Sequence, residues 1–228
     1  VTATDGRPVR AALFDLDGTL VDSLPTIAQA MAEAARMHGL HAEPDAIVPH
    51  IGAPMDVLVQ ELFGVSSEVA RAVNADYLRV YEHGFIQRTP PHEGAAALLR
   101  QVHDAGVLMG VVTNKRDRGA RLMVEAQGWD DLFAVVHGRE SGAPKPDPEA
   151  ALSALRRLDV PPEDAAFVGD TEFDMNCARD AGIPVVVALL GSRSRERLIT
   201  EGATHVVDHL NQVAPILVGS RRPTETAL

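Results

Sequence analysis

The chain has 228 residues, 46% of them hydrophobic and 23% charged, and a formal net charge of −11. That composition excludes a disordered chain, and the acidic balance argues against nonspecific nucleic-acid binding, which needs Lys and Arg to displace counterions. It does not exclude a small anionic substrate, because one bound divalent cation inverts the local field. Cys177 is the single cysteine, so neither a disulfide framework nor a Cys-rich metal site is available. No apolar run is long enough to span a bilayer. Residues Val1 to Arg10 are polar and lack the apolar stretch of a signal peptide. A soluble cytoplasmic protein with no membrane partner is the expectation.

Val9 to Phe14 reads as a short buried strand that runs into Asp15-Leu16-Asp17-Gly18-Thr19. The stretch from Asp22 to Thr89 has a different rhythm. Helical patterns at Ile27 to Met37, Met55 to Leu62 and Ser67 to Tyr81 are punctuated by Gly39, Pro44, Gly52-Ala53-Pro54 and Gly64, with no strand between them. We read it as an inserted helical domain over residues 22–89, which leaves residues 1–21 and 90–228 for the core. Beyond it the apolar runs Val107 to Val112, Phe133 to Val136, Ala165 to Val168 and Pro184 to Leu190 alternate with helical patterns. Those patterns cover Gly94 to Ala105, Arg118 to Gln127, Pro148 to Leu158 and Phe173 to Ala181. Strands alternating with helices predict an α/β fold, a parallel sheet covered by helices on both faces. Such sheets bind ligands at the carboxyl ends of their strands.

Four predicted strand ends carry chemically interesting residues. Asp15 and Asp17, two apart where the chain begins to turn, can face one pocket, and Gly18 permits the turn. One carboxylate can attack phosphorus, and a second carboxyl can protonate the leaving oxygen and later deprotonate water. Thr113-Asn114-Lys115 offers a hydroxyl and backbone N–H groups at a strand end, which suits phosphate oxygens. Lys145, between Pro144 and Pro146, is an ammonium on a pinned backbone. Only Lys115 and Lys145 are lysines in a chain that otherwise chooses arginine, so both positions favour a compact ammonium over a planar fork. Asp170 and Asp174, four apart, can share one side of a helix start and suit Mg²⁺, which prefers oxygen ligands. Each pattern also has a plainer reading, as an Asx turn, a helix cap or a Pro-rich loop. Their shared place at strand ends of one sheet argues against all four being plain.

Taken together, these motifs resemble the haloacid dehalogenase-like hydrolase superfamily, in the phosphoglycolate phosphatase-like branch with a helical cap after the first motif. The resemblance runs from about Val9 to Ile216. It rests on the DxDGT pattern at Asp15 to Thr19 with its continuation Leu20-Val21-Asp22-Ser23, on Thr113, on Lys145, and on the acidic motif at Asp170 and Asp174. It implies a Rossmannoid core and Mg²⁺ as cofactor. Asp15 would be the nucleophile, and Asp17 would be the acid/base that also offers its backbone carbonyl to the metal. Asp170 would be a direct ligand with Asp174 close by, and Lys145 would assist catalysis. Gly18, Thr113, Asn114 and Lys115 would lie around the substrate, and His50 and Gly52 in the cap loop would inspect it. An Asp at position 17 disfavours a true dehalogenase, and the absence of lysine from residues 22–89 disfavours a phosphonoacetaldehyde hydrolase. A phosphatase acting on a small phosphorylated metabolite is the expectation. A phosphomutase of the β-phosphoglucomutase type and a noncatalytic phosphate-responsive protein are the alternatives. Cys177 reads as a small buried hydrophobe, and His205 and His209 as surface residues. Glu172 reads equally well as a helix-cap residue or as a neighbour of the metal's ligands.

Overall fold

The structure is a computed structural model, and it describes residues 8–51 and 55–219. These form two compact units, one built from residues 8–21 and 91–219 and the other from Asp22–Pro90. In chain order, β1 (Ala11–Phe14) leads to α1 (Leu24–Met37), α2 (Pro44–Ile47), α3 (Met55–Phe63) and α4 (Ser67–Val80). There follow α5 (Ala95–Asp104), β2 (Leu108–Val112), α6 (Asp117–Ala126), β3 (Val135–His137) and α7 (Glu149–Leu158). The chain closes with β4 (Ala165–Gly169), α8 (Glu172–Asp180), β5 (Val185–Leu189), α9 (Arg195–Thr200), β6 (His205–Val207) and α10 (Val213–Val218). No described helix is long and apolar enough to cross a membrane.

The first unit is a six-stranded, all-parallel sheet in the order β3-β2-β1-β4-β5-β6. This is the α/β fold expected from the alternation of apolar runs and helical patterns. The central strands carry almost no polar residues because both faces are covered: Leu13, Phe14, Phe167 and Val168 are fully buried. One strand has no signal in the sequence. β6 has three residues, and His205 at its start hides the apolar signal; its place at the sheet edge comes from pairing with β5. Strand β3 starts two residues later than its apolar run and reaches His137.

The Asp22–Pro90 unit is helical. Alanines on α1 let α4 pack closely, and Met31, Leu58, Val59, Val73 and Tyr77 are buried within the unit. Its two ends are joined: Asp22 N–H donates to the Pro90 carbonyl at 3.0 Å, and the hydroxyls of Thr26 and Thr89 lie 2.8 Å apart.

Among the polar residues of the sheet, His137 is unusual. It is buried, and neither ring nitrogen has a hydrogen-bond partner among the described residues. Burial pulls the imidazole below its ordinary value of 6.5, with Asp117 opposing. Below that value the unfolded chain takes up a proton that the folded chain refuses, so stability falls as pH falls. The loss from this one group is at most about 1.4 kcal/mol at about pH 5.5. His137→Leu should therefore show a flatter decline than the native chain in urea unfolding compared at about pH 7.5 and about pH 5.5. An equal decline in both proteins would remove His137 as its source.

Candidate active site

Register decides which residues meet. Phe14 pairs with Val111 on one side and Val168 on the other, so β1, β2 and β4 end level with one another. Strand order reverses at β1, with β2 and β3 built outward on one side and β4 to β6 on the other. A crevice at such a switch point is the usual ligand site of a parallel sheet. Asp15 is the first residue past β1, its N–H donating to the Val168 carbonyl at 2.9 Å. The chain then turns sharply: the Leu16 carbonyl accepts N–H groups from Thr19, Leu20 and Val21. Gly18 makes the turn possible with φ of +86°, and a Cβ there would stand 2.6 Å from Asp170 Oδ2. The glycine thus serves both the turn and the close approach of the carboxylate from β4.

Lys145 is the centre of charge. Its Nζ lies 2.6 Å from Asp174 Oδ1 and 2.8 Å from Asp15 Oδ1, and the side chain is 3% exposed. Burial alone would lower this ammonium; Asp15 and Asp174 outweigh it and raise it above the ordinary lysine range. Burial pushes the Asp15 carboxyl up to about 6, with Lys145 opposing and Asp174 adding to the rise. Asp170 is raised well above the ordinary carboxylate value by burial, then by Asp174 and Asp15, against the hydrogen bond from Thr19. That bond, Thr19 Oγ1 to Asp170 Oδ1 at 2.7 Å, is fully buried. Asp174 is committed to the protein. Besides Lys145 it accepts from Asp170 N–H, Thr171 N–H and the Thr171 hydroxyl, closing a capping box at the start of α8.

Carboxylate oxygens of Asp15, Asp170 and Asp174 lie within 4.8 Å of one another. One ammonium cannot neutralise three buried carboxylates. Apart from the Lys145 ammonium at 2.8 Å, Asp15 Oδ1 has no partner among the described residues, so it is a buried oxygen with a lone pair still open. Buried, all-oxygen and short of positive charge, the cluster fits a hard divalent cation.

The Thr113-Asn114-Lys115 segment follows β2. Thr113 is buried and its N–H donates to the His137 carbonyl at 3.0 Å. Asn114 clamps the lysine loop from both ends of its amide: Nδ2 donates to the Lys145 carbonyl at 3.0 Å, and Oδ1 accepts the Lys145 N–H at 2.8 Å. Lys115 Nζ lies 3.0 Å from both carboxylate oxygens of Asp17. Glu172 receives Arg193 and Arg197, which hold its carboxyl below the usual range against burial. Burial pushes the Cys177 thiol up to about 11, and its Sγ meets the Asp147 carbonyl. His205 lies on β6 and His209 beyond it, so the pair does not share a helix. His50 ends a short 3-10 turn in the helical unit, and Gly52 lies outside the described residues.

Comparison with known proteins gives this arrangement its context. Residues 12–188 match the family described as haloacid dehalogenase-like hydrolase. The chain belongs to the haloacid dehalogenase-like hydrolase family. A phosphoglycolate phosphatase of Xylella fastidiosa is 35% identical over 191 residues, covering 82% of this chain and 83% of that protein. An N-acetylmuramic acid 6-phosphate phosphatase of Pseudomonas aeruginosa is 30% identical, covering 92% and 95%. The fold of a Clostridium difficile protein known from a crystal structure superposes with a TM-score of 0.84 at 22% identity, covering 92% and 99%. Within this haloacid dehalogenase-like hydrolase, three features escaped the motif reading. They are the Thr19 bond to Asp170, the Asn114 clamp on Lys145, and the pairing of Lys115 with Asp17. Thr19 stood inside the first motif and its hydroxyl was the available clue; the other two join residues 31 and 98 positions apart.

A methyl group at position 18 would meet Asp170 and would also hold a left-handed backbone, which costs a non-glycine residue about 1–2 kcal/mol. Gly18→Ala should lower the unfolding midpoint and weaken divalent-cation binding on the order of tenfold or more by calorimetry. Unchanged cation affinity would mean that the Gly18–Asp170 approach has no part in holding a cation.

Proposed function

We propose that this chain is a phosphoric monoester hydrolase that forms and hydrolyses an aspartyl-phosphate at Asp15, with Mg²⁺ as its cation. The observation that carries the reading is the Asp15 carboxylate, buried at a strand end between Lys145 and the Asp170 side of the site. A buried carboxylate can attack an anionic phosphoryl group when cationic groups held against both offset their negative charges. The phosphatase relatives support the same reaction class. Asp15, Asp170 and the Asp17 backbone carbonyl are the groups assigned to the cation, with Asp174 beside them. When bound, the cation supplies charge neutralisation for the nucleophile and the phosphoryl oxygens.

The chain's own residues carry the two half-reactions. A carboxylate oxygen of Asp15 attacks phosphorus as the bond to the leaving oxygen breaks, and Asp17 gives that oxygen a proton. Water then attacks the phosphorus of the aspartyl-phosphate, Asp17 takes the water's proton, and Asp15 departs as a carboxylate. Lys145 stays on Asp15 and the phosphoryl group throughout, steadied by Asn114 and Asp174. Thr113 and the backbone after it are assigned to phosphoryl oxygens.

The substrate class is a small phosphorylated metabolite, and phosphoglycolate is the first compound to try. Substrate selection is assigned to the 22–90 unit, with His50 and Gly52 in the loop that resembles the family's inspecting segment. A cytoplasmic setting fits a chain with one reduced, buried cysteine.

Phosphate release should require Mg²⁺ and stop in excess chelator; turnover that survives the chelator would sink the cation assignment. Asp15→Asn should abolish turnover and covalent labelling. Asp17→Asn should slow hydrolysis of an alkyl phosphate by roughly 10²–10⁴-fold, and should slow the first step with an aryl phosphate less. A phosphate burst from Asp15→Asn would refute the nucleophile. Conversion of a sugar monophosphate to its isomer without phosphate release would favour a mutase instead.

A further inference from the structure

The chain's two lysines each sit on one of its two candidate catalytic carboxylates. Lys145 reaches Asp15, and Lys115 Nζ lies 3.0 Å from both Oδ1 and Oδ2 of Asp17. The second contact is not a loose surface pair: the Lys115 side chain is 10% exposed and that of Asp17 23%. The lysine is fixed along its length. Its N–H donates to Thr113 Oγ1 at 3.2 Å and its carbonyl accepts the Arg139 N–H at 3.0 Å. Its methylene stem runs beside Gly119 on α6, where a Cβ would come within ordinary contact distance, 3.5–3.7 Å, of Cγ, Cδ and Cε.

This geometry has a chemical consequence. An ammonium has only donors, so it can orient a carboxylate without competing for the proton that the carboxylate must deliver. With both oxygens of Asp17 engaged, the carboxylate is held in one rotamer. One contact must be released when a leaving oxygen arrives. An arginine fork would grip both oxygens in a plane, whereas a single ammonium can follow the carboxylate as it turns. That is a physical reason for lysine here in a chain whose other basic residues, apart from Lys145, are arginines.

We propose that Lys115 is a positioning residue for Asp17: it sets the carboxylate in the orientation from which both proton transfers are made, and gives up no proton itself. This rests on the phosphatase reading, in which Asp17 is the acid and base. It departs from the expectation that Lys115 contacts substrate directly, and the two assignments give different kinetics.

The test is a double-mutant cycle in the full chain with Mg²⁺, using phosphoglycolate as the alkyl ester and p-nitrophenyl phosphate as the aryl ester. Lys115→Met should lower kcat on phosphoglycolate by roughly 10–10²-fold, a part of what a general acid supplies, with KM changed less than about twofold. The burst with p-nitrophenyl phosphate should be slowed less, because that leaving group needs little protonation. Lys115→Met combined with Asp17→Asn should be no slower than Asp17→Asn alone, since a positioner has nothing left to position. Multiplying losses in the double mutant, or a KM rise shared by both esters, would overturn the proposal in favour of direct substrate contact. If Lys115→Met does not fold, Lys115→Gln keeps most of the stem, and the same cycle decides. If phosphoglycolate is not turned over, steady-state p-nitrophenyl phosphate hydrolysis carries the cycle, because water attack still needs Asp17. Failure of the underlying reading has its own signature: Asp17→Asn alone would be as fast as the native chain.

Discussion

Lys145 Nζ lies 2.6 Å from Asp174 and 2.8 Å from Asp15, almost out of contact with water. An ammonium so placed is tolerated only because two carboxylates face it, and the carboxylates are tolerated only because of the ammonium. Removing one partner of a buried pair leaves an uncompensated charge, at a cost of about 3–5 kcal/mol. Much of the surrounding structure serves this cluster. Asn114 holds the lysine's backbone from both sides, and Asp174 also caps α8. Thr19 stabilises Asp170, and Gly18 leaves room for it. The cluster still carries more negative than positive charge, and that imbalance suits a cation.

The sheet brings these groups together without requiring them to be near in sequence. Asp15, Thr113 and Asp170 follow β1, β2 and β4, three adjacent parallel strands, and the Lys145 loop is clamped to the end of β2 through Asn114. Parallel pairing puts all carboxyl ends on one edge, and the reversal of strand order at β1 opens the crevice there. Lys115 and Lys145 offset part of the charge of the carboxylates there, and a divalent cation, when bound, would offset the rest, so a chain with a net charge of −11 need not repel an anionic ester at this edge.

The two lysines contact different carboxylates. Lys145 is buried and bridges two acids, so it is a fixed part of the charge cluster. Lys115 and Asp17 are somewhat more accessible. In the proposed mechanism the more buried pair suits a nucleophile that must be aimed, and the more accessible one suits an acid that must exchange partners. Glu172, beside the acidic cluster, is occupied by Arg193 and Arg197 and so ties the start of α8 to the segment after β5.

Sequence alone determined the fold class, because alternating apolar runs and helical periods leave few arrangements other than a covered parallel sheet. It also determined the residue types at the strand ends, because Asp15, Asp17, Lys145 and Asp170 stand in short local patterns with punctuating Gly and Pro. Tertiary structure decided what each side chain touches. Three-residue β6 needed its neighbour β5 to be recognised as a strand, since so short a segment carries no period. The Asn114 clamp and the Lys115–Asp17 pair join positions 31 and 98 residues apart. Contacts of that span are set by strand register and loop geometry, which appear only when the sheet is assembled. No local spacing encodes them.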